Sequence, residues 1–121
     1  MVVQQILNAL PVLQKLIELK LPVRKAYEIY KLARQFNDIR DFSIMEEKKM
    51  IEKYEAEISQ DGRIYFKTPE SQNQFFEEHN SLMIGEIDSF PIIELKLDEL
   101  NDIVLSPMEI GLLSGIIDFK D

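Results

Sequence analysis

The stretch from Pro22 to Glu57 constrains the fold most, because it contains no glycine and no second proline. Leu, Ala, Lys, Arg, Glu and Met dominate it, and all of them are good helix formers. Pro22 suits the first turn of a helix, where its missing N–H would have had no partner. The stretch therefore predicts one long helix.

Apolar residues recur three and four positions apart along this stretch, which is the spacing of an amphipathic helix. A straight helix of this length spans roughly 50 Å, whereas a compact chain of 121 residues has a radius of gyration of only about 14 Å. Part of the apolar face is therefore expected to meet a partner or a second copy. Its two rows are Val23, Ala26/Tyr27, Tyr30, Ala33 and Phe36, and Ile29, Leu32, Phe36 and Ile39.

A break in the helix is the alternative, and it is expected within residues 37–43. Ser43 and Glu46 have the spacing of a capping box, which would start a new helix there. The absence of glycine and proline favours continuity.

The N-terminal segment predicts further helix. Val2 to Leu10 reads as a short helix and Pro11 suits the start of a second, although the two can also form one kinked helix. The short connection at Lys20 to Pro22 would turn the chain back, so that these segments pack antiparallel to the long helix. Residues 1–57 are therefore predicted to form a helical hairpin.

Residues 58–121 predict a small α+β portion of the same single domain, 1–121. A turn at Ser59 to Gly62 precedes a short strand at Arg63 to Lys67, expected to pair with the segments flanking Pro91, Glu86 to Phe90 and Ile92 to Lys96. Thr68 and Pro69 mark a helix start, as do Ser106, Pro107 and Glu109, with the second helix running through about Leu113 and Gly115 ending it. Residues 97–101 predict a helical turn. The fold class is α+β, mainly helical: a long central helix packed with N-terminal helices, a small antiparallel sheet and a short C-terminal helix.

The charge is uneven along the chain. Residues 1–60 carry ten Lys/Arg and nine Asp/Glu, whereas residues 61–121 carry four and thirteen, and the formal net charge is −8. This argues against a broad nucleic-acid surface, which needs clustered basic residues. The start of the long helix is locally basic, and either a solvated face or an anion contact explains it. The candidate anion-contact residues are Arg24, Lys25, Lys31 and Arg34.

Residue types that carry catalysis or bind metals are scarce. There is no cysteine and one histidine, His79, which is expected at the surface or an interface. Asp98, Glu99 and Asp102 would at most collect a loose cation at a turn. We expect no enzyme activity and no cofactor. We also expect neither a membrane span nor a signal peptide. The expected location is therefore the host cytoplasm or the virion.

The order of several segments resembles a family of small accessory proteins of tailed, siphovirus-type phages. These segments are LPVRKAYEIYKLARQFNDIRDF, EEKKMIEKY, DGRI, FPIIELKLDEL and LSPMEIGLL, within Leu13 to Leu113. Such relatives often carry glycine where this chain has Glu55. The resemblance implies a phage origin among virion-assembly or accessory genes, and it implies no functional residue.

The favoured hypothesis is a non-enzymatic, phage-encoded protein for protein-protein interaction or assembly, acting on itself or a larger partner. One alternative is a phage inhibitor of a host defence or nucleic-acid-binding protein, acting through the acidic C-terminal half. Another is a small nucleotide binder that uses the anion-contact residues. For the apolar C-terminal residues, either packing on the core or a docking tail is expected. The candidate interface residues are Tyr27, Tyr30, Phe36, Ile39, Phe42, Met45, Ile116 and Phe119.

Overall fold

A computed structural model describes residues 1–87, 90–100 and 103–121. It has the predicted fold class: a long central helix packs against an N-terminal helix, beside a small antiparallel sheet and a short C-terminal helix. In chain order, the elements are α1 (Val3–Leu16), α2 (Val23–Lys53), β1 (Glu57–Ile58), β2 (Ile64–Tyr65), α3 (Pro69–Met83), β3 (Ile93–Lys96), a 3-10 turn (Leu97–Leu100), α4 (Pro107–Leu113) and β4 (Ile117–Lys120).

Helix α2 is continuous for 31 residues, which confirms the favoured prediction and removes the alternative break within 37–43. Ser43 does not cap a new helix. Its hydroxyl donates to the Arg40 carbonyl at 2.8 Å, a bond within the helix that a mid-helical serine readily makes. Pro22 is the N-cap residue and lies just before the first turn.

The predicted end of α2 at Glu57 is too late, because the chain leaves the helix at Tyr54. The Ala56 N–H donates to the Ile51 carbonyl at 2.9 Å, and the Glu55 N–H donates to the Glu52 carbonyl at 3.2 Å. This pair of bonds is a Schellman motif, whose left-handed position is usually glycine. Here Glu55 holds that position, with φ of +51°.

The N-terminal segment is a single helix, α1, and not two. Pro11 lies inside it on the exposed side, whereas Ile6, Leu13 and Leu16 are buried against the rest of the protein. The Leu19 N–H donates to the Leu16 carbonyl at 3.1 Å in the turn that follows. The chain then reverses and α1 packs along α2, as the hairpin prediction required.

The predicted strand pairing is wrong. Strand β2 pairs antiparallel with β1, where Ile58 faces Ile64. Strand β3 instead pairs in parallel with β4, where Ile93 faces Ile117 and Leu95 faces Phe119. A tight turn with Gly62 at φ +84° joins β1 to β2, so this local pairing costs little loop-closure entropy.

Part of the predicted strand at residues 86–90 lies outside the described residues, as does the last residue of the predicted turn at 97–101. Glu86 forms an isolated antiparallel bridge with Val2. The two predicted helix starts are confirmed. Thr68 Oγ1 accepts from the Ser71 N–H at 3.1 Å, and Ser106 Oγ accepts from the Glu109 N–H at 3.1 Å.

The core lies between α1, the first part of α2, α4 and the β3–β4 pair. Phe36 and Ile116, both predicted as interface residues, are fully buried in it. Their assignment to an exposed interface is corrected, because a side chain enclosed within one protomer has no surface to offer a partner. Ile117 is buried as well, so the C-terminal residues pack back on the core and do not form a docking tail.

Candidate contact surface on helix α2

Four of the predicted interface residues remain accessible, and all of them belong to α2. Tyr27, Tyr30, Phe42 and Met45 are 58%, 55%, 48% and 51% exposed. The helical period explains their position. At 100° per residue, Tyr27 and Met45 point in the same direction, roughly opposite the buried Phe36.

The other predicted interface residues lie away from this surface. Ile39 and Phe119 are half-buried and pack against the core, and Phe36 and Ile116 lie within it. The two apolar rows predicted from the sequence therefore divide. The row through Ile29, Leu32 and Phe36 faces the protein, whereas Tyr27 and Tyr30 of the other row face away from it.

Charged residues occupy the solvent side of α2 between the two exposed apolar pairs. Lys31 and Arg34 come first, and Asp38 and Asp41 follow, all of them exposed. We call this surface the outer face of α2. It consists of Tyr27, Tyr30, Lys31, Arg34, Asp38, Asp41, Phe42 and Met45.

The two tyrosines of the outer face support each other. Their rings are stacked, with centroids 6.4 Å apart and planes inclined by 25°. The Lys31 ammonium lies 5.3 Å from the Tyr27 ring centroid, within the range of a cation–π contact. These contacts restrict the two tyrosine side chains in the free protein, which lowers the conformational entropy that they would lose on binding.

Shallow hollows flank the tyrosine end of the outer face on both sides. One of about 220 Å³ separates Lys31 and Gln35 from the segment Pro91–Ile93, and exposed Ile92 lies on its rim. Another of about 160 Å³ lies between Tyr30 and the end of α1, next to exposed Ile17. The apolar surface available to a partner is therefore wider than the helix itself.

The four candidate anion-contact residues do not act as one group. Lys25 points away from the others, and its ammonium donates to Glu99 Oε1 at 3.0 Å. That oxygen also accepts from the Lys96 N–H at 2.9 Å, and the two bonds, the backbone one first, lower the pKa of Glu99. Lys31 and Arg34 do line a common hollow of about 300 Å³, but Asp38 lines it too.

Further ion pairs join the basic and acidic halves of the sequence, and sequence reasoning missed them. Lys15 of α1 pairs with Glu109 of α4, whose pKa is lowered first by this contact and then by the Ser106 N–H. Lys53 at the end of α2 donates to Glu78 of α3 at 2.5 Å. No local pattern could reveal contacts between residues so distant in the chain. Several carboxylates of the acidic half therefore already pair with lysines of the basic half within the same chain.

His79 belongs to α3 and contacts α2. Its ring stacks on Phe75 with centroids 5.8 Å apart, and its Nε2 is 3.6 Å from Glu47 Oε2. Phe75 also contacts Phe66 and Phe76, which builds an aromatic cluster on α3 and the segment before it. Helix α3 contacts α2 and so covers part of the half that the sequence suggested would overhang.

Within residues 1–87, 90–100 and 103–121, no group of three or more His, Cys, Asp and Glu side chains is placed to hold a metal ion. Asp102 of the suggested loose cation site lies outside those ranges. Among the helices of the described chain, none has the length and apolar character to cross a membrane. Comparison with protein-family models, curated proteins and solved structures finds no significant match.

Proposed function

We propose that this protein is a non-enzymatic interaction protein that binds another protein through the outer face of α2. The observation that carries the proposal is the exposure of Tyr27, Tyr30, Phe42 and Met45 along one side of a single rigid helix. Aromatic residues and methionine are enriched in protein interfaces, where they bury large areas at low entropic cost. Large side chains that gather on one helical face therefore favour contact with a partner.

A role in phage assembly or as a phage accessory protein is part of this proposal, and it rests on the resemblance of the sequence segments. A helix held at both ends is a suitable scaffold for it. The buried side of α2 packs on the core, and ion pairs join the helix to α3 and to the 3-10 turn, so the outer face would bind as a preformed unit.

The two alternatives remain hypotheses with less support. Inhibition of a host protein through the acidic half would have to use carboxylates other than Glu78, Glu99 and Glu109, which pair with lysines of the same chain. A nucleotide bound in the hollow beside Lys31 and Arg34 would also meet the Asp38 carboxylate, which repels phosphate.

Site-specific photo-crosslinking tests the proposal. A photoreactive phenylalanine analogue at Tyr30 is compared with the same analogue at Tyr65, which is equally accessible at 54% but lies in the β1–β2 hairpin. In cells that express the gene, position 30 is expected to give a discrete crosslinked protein species. Position 65 is the matched control and is expected to give much less. Equal crosslinking at both positions, or none at position 30, would contradict the proposal.

A further inference from the structure

The order of side chains along the outer face of α2 is symmetric about its middle. Tyr27 and Met45 each lie nine positions from Phe36, and Tyr30 and Phe42 each lie six positions from it. Large apolar residues therefore occupy both ends of the surface at matching distances. The centre itself is not apolar, because exposed charged residues fill it.

The charges have the same symmetry, but with opposite sign. Lys31 and Asp41 each lie five positions from Phe36, and Arg34 and Asp38 each lie two positions from it. Every basic residue of the outer face thus has an acidic counterpart at the same distance on the other side of the midpoint. A surface with this pattern is complementary to a second copy of itself that is rotated by 180° about an axis perpendicular to the helix.

We infer that the partner of the outer face is a second copy of this chain, with the two α2 helices antiparallel and crossing near residue 36. This inference rests on the proposed function and names the partner. In such a pair, Tyr27 and Tyr30 of one protomer reach the level of Met45 and Phe42 of the other. Lys31 and Arg34 reach the level of Asp41 and Asp38.

The charge pattern selects the antiparallel orientation. In a parallel pair in register, Lys31 and Arg34 would meet their own copies, as would Asp38 and Asp41, and like charges at close range are unfavourable. Within the protomer, Asp41 contacts only its exposed neighbour Arg40 among the ion pairs of the described residues, at 3.4 Å. An exposed pair of this kind is weak and leaves the Asp41 carboxylate free to accept from another donor.

The elements beside the tyrosine end of the outer face add apolar surface to it. The end of α1 borders one side of this end and the segment Pro91–Ile93 borders the other. Both sides end in exposed apolar residues, Ile17 and Ile92, which would face the second protomer across the flanking hollows. The eighteen positions from Tyr27 to Met45 give the contact a length of about 27 Å.

Charge reversal tests the inference. One variant carries Lys31→Glu and Arg34→Glu, and the other carries Asp38→Lys and Asp41→Lys. Sedimentation velocity over a range of concentrations is expected to show a dimer for the wild type and monomers for each variant alone. An equimolar mixture of the two variants is expected to form a heterodimer, because opposite charges again share each level. Circular dichroism checks that both variants are folded, which is expected because all four positions are exposed.

Crosslinking gives an independent readout that leaves the charges of the outer face intact. The chain has no cysteine, so single cysteines at Gln35 and Lys49 can be joined only between copies. In an antiparallel pair centred at residue 36, the copies of position 35 lie close together, and those of position 49 are about 39 Å apart along the helix. A short bismaleimide should therefore link Gln35→Cys and not Lys49→Cys.

A wild type that stays monomeric at every concentration would overturn the inference, as would charge-reversed variants that still dimerise alone or equal linking at both cysteines. The proposed function would survive these results if the photoreactive group at Tyr30 were joined to a different protein. The proposed function would fail together with the inference if position 30 gave no crosslinked protein, or gave no more than position 65.

Discussion

The Lys25 ammonium donates a hydrogen bond to Glu99 Oε1 at 3.0 Å and so joins the first turn of α2 to the 3-10 turn after β3. Lys25 therefore takes part in a contact within the protomer. Lys25→Ala is expected to lower the melting temperature more than Lys48→Ala, because Lys48 is an exposed position of α2 that lies outside the outer face. Thermal unfolding followed by circular dichroism measures both. Equal melting temperatures would argue against the structural role of this ion pair.

Phe36 and Tyr27 belong to the same apolar row of the sequence but have opposite roles in the fold. Phe36→Ala removes a fully buried ring and should reduce the free energy of unfolding by about 3–5 kcal/mol. Tyr27→Ala removes an exposed ring, and at protein concentrations where the chain is monomeric the expected loss is roughly 1 kcal/mol or less. Denaturant titration of the purified variants distinguishes the two. A large loss for Tyr27→Ala would mean that the outer face stabilises the protomer itself.

Glu55 has the left-handed conformation at the end of α2, which glycine adopts without steric cost. Glu55→Gly should therefore be more stable than Glu55→Ala by about 1 kcal/mol. The comparison with alanine is the control, since both variants lose the exposed ion pair between Glu55 and Lys67. Denaturant midpoints of the two variants give the difference. A glycine variant no more stable than the alanine variant would show that the turn relaxes.

Glu78 should contribute to the acid sensitivity of the fold. Its carboxylate accepts from Lys53 and from the Tyr54 hydroxyl, at 2.5 and 2.7 Å, and these contacts, Lys53 first, lower the pKa of Glu78. A lowered pKa gives stability above the ordinary glutamate pKa of about 4.3, and this stability is lost as the pH falls through the folded-state pKa. In the Glu78→Gln variant, stability should therefore fall less steeply with decreasing pH in that range than in the wild type. Glu77→Gln, at the exposed neighbouring position, should leave the pH dependence close to that of the wild type.

The sequence predicts local features well. The continuity of α2 follows from its lack of glycine and proline, and the caps at Thr68 and Ser106 depend on neighbours three positions away. The pairing of β3 with β4 could not be predicted in this way, because Ile93 and Ile117 are far apart in the chain and α4 lies between them. The hydrogen bond from Lys25 to Glu99 could not be predicted for the same reason, because the two residues are 74 positions apart.

The candidate surface was predicted in part. Helical spacing identifies Tyr27, Tyr30, Phe42 and Met45 as apolar residues of α2, but it does not say which of the two rows faces the core. That choice depends on the rest of the core, which encloses Phe36 and leaves Tyr27 exposed. Ile116 shows the same limit, because an apolar residue near a chain end can pack inward or project outward with the same local sequence.

The most direct measurement of whether the outer face of α2 meets a protein is thiol accessibility in cells that express the gene. Met45→Cys lies on the outer face, and Met108→Cys lies on α4, away from it and highly exposed. Since the natural chain has no cysteine, each variant has one reactive thiol. We predict that a maleimide labels Met45→Cys several times more slowly than Met108→Cys in cells, and that the two rates converge in dilute purified protein. Equal labelling rates in cells would contradict the account.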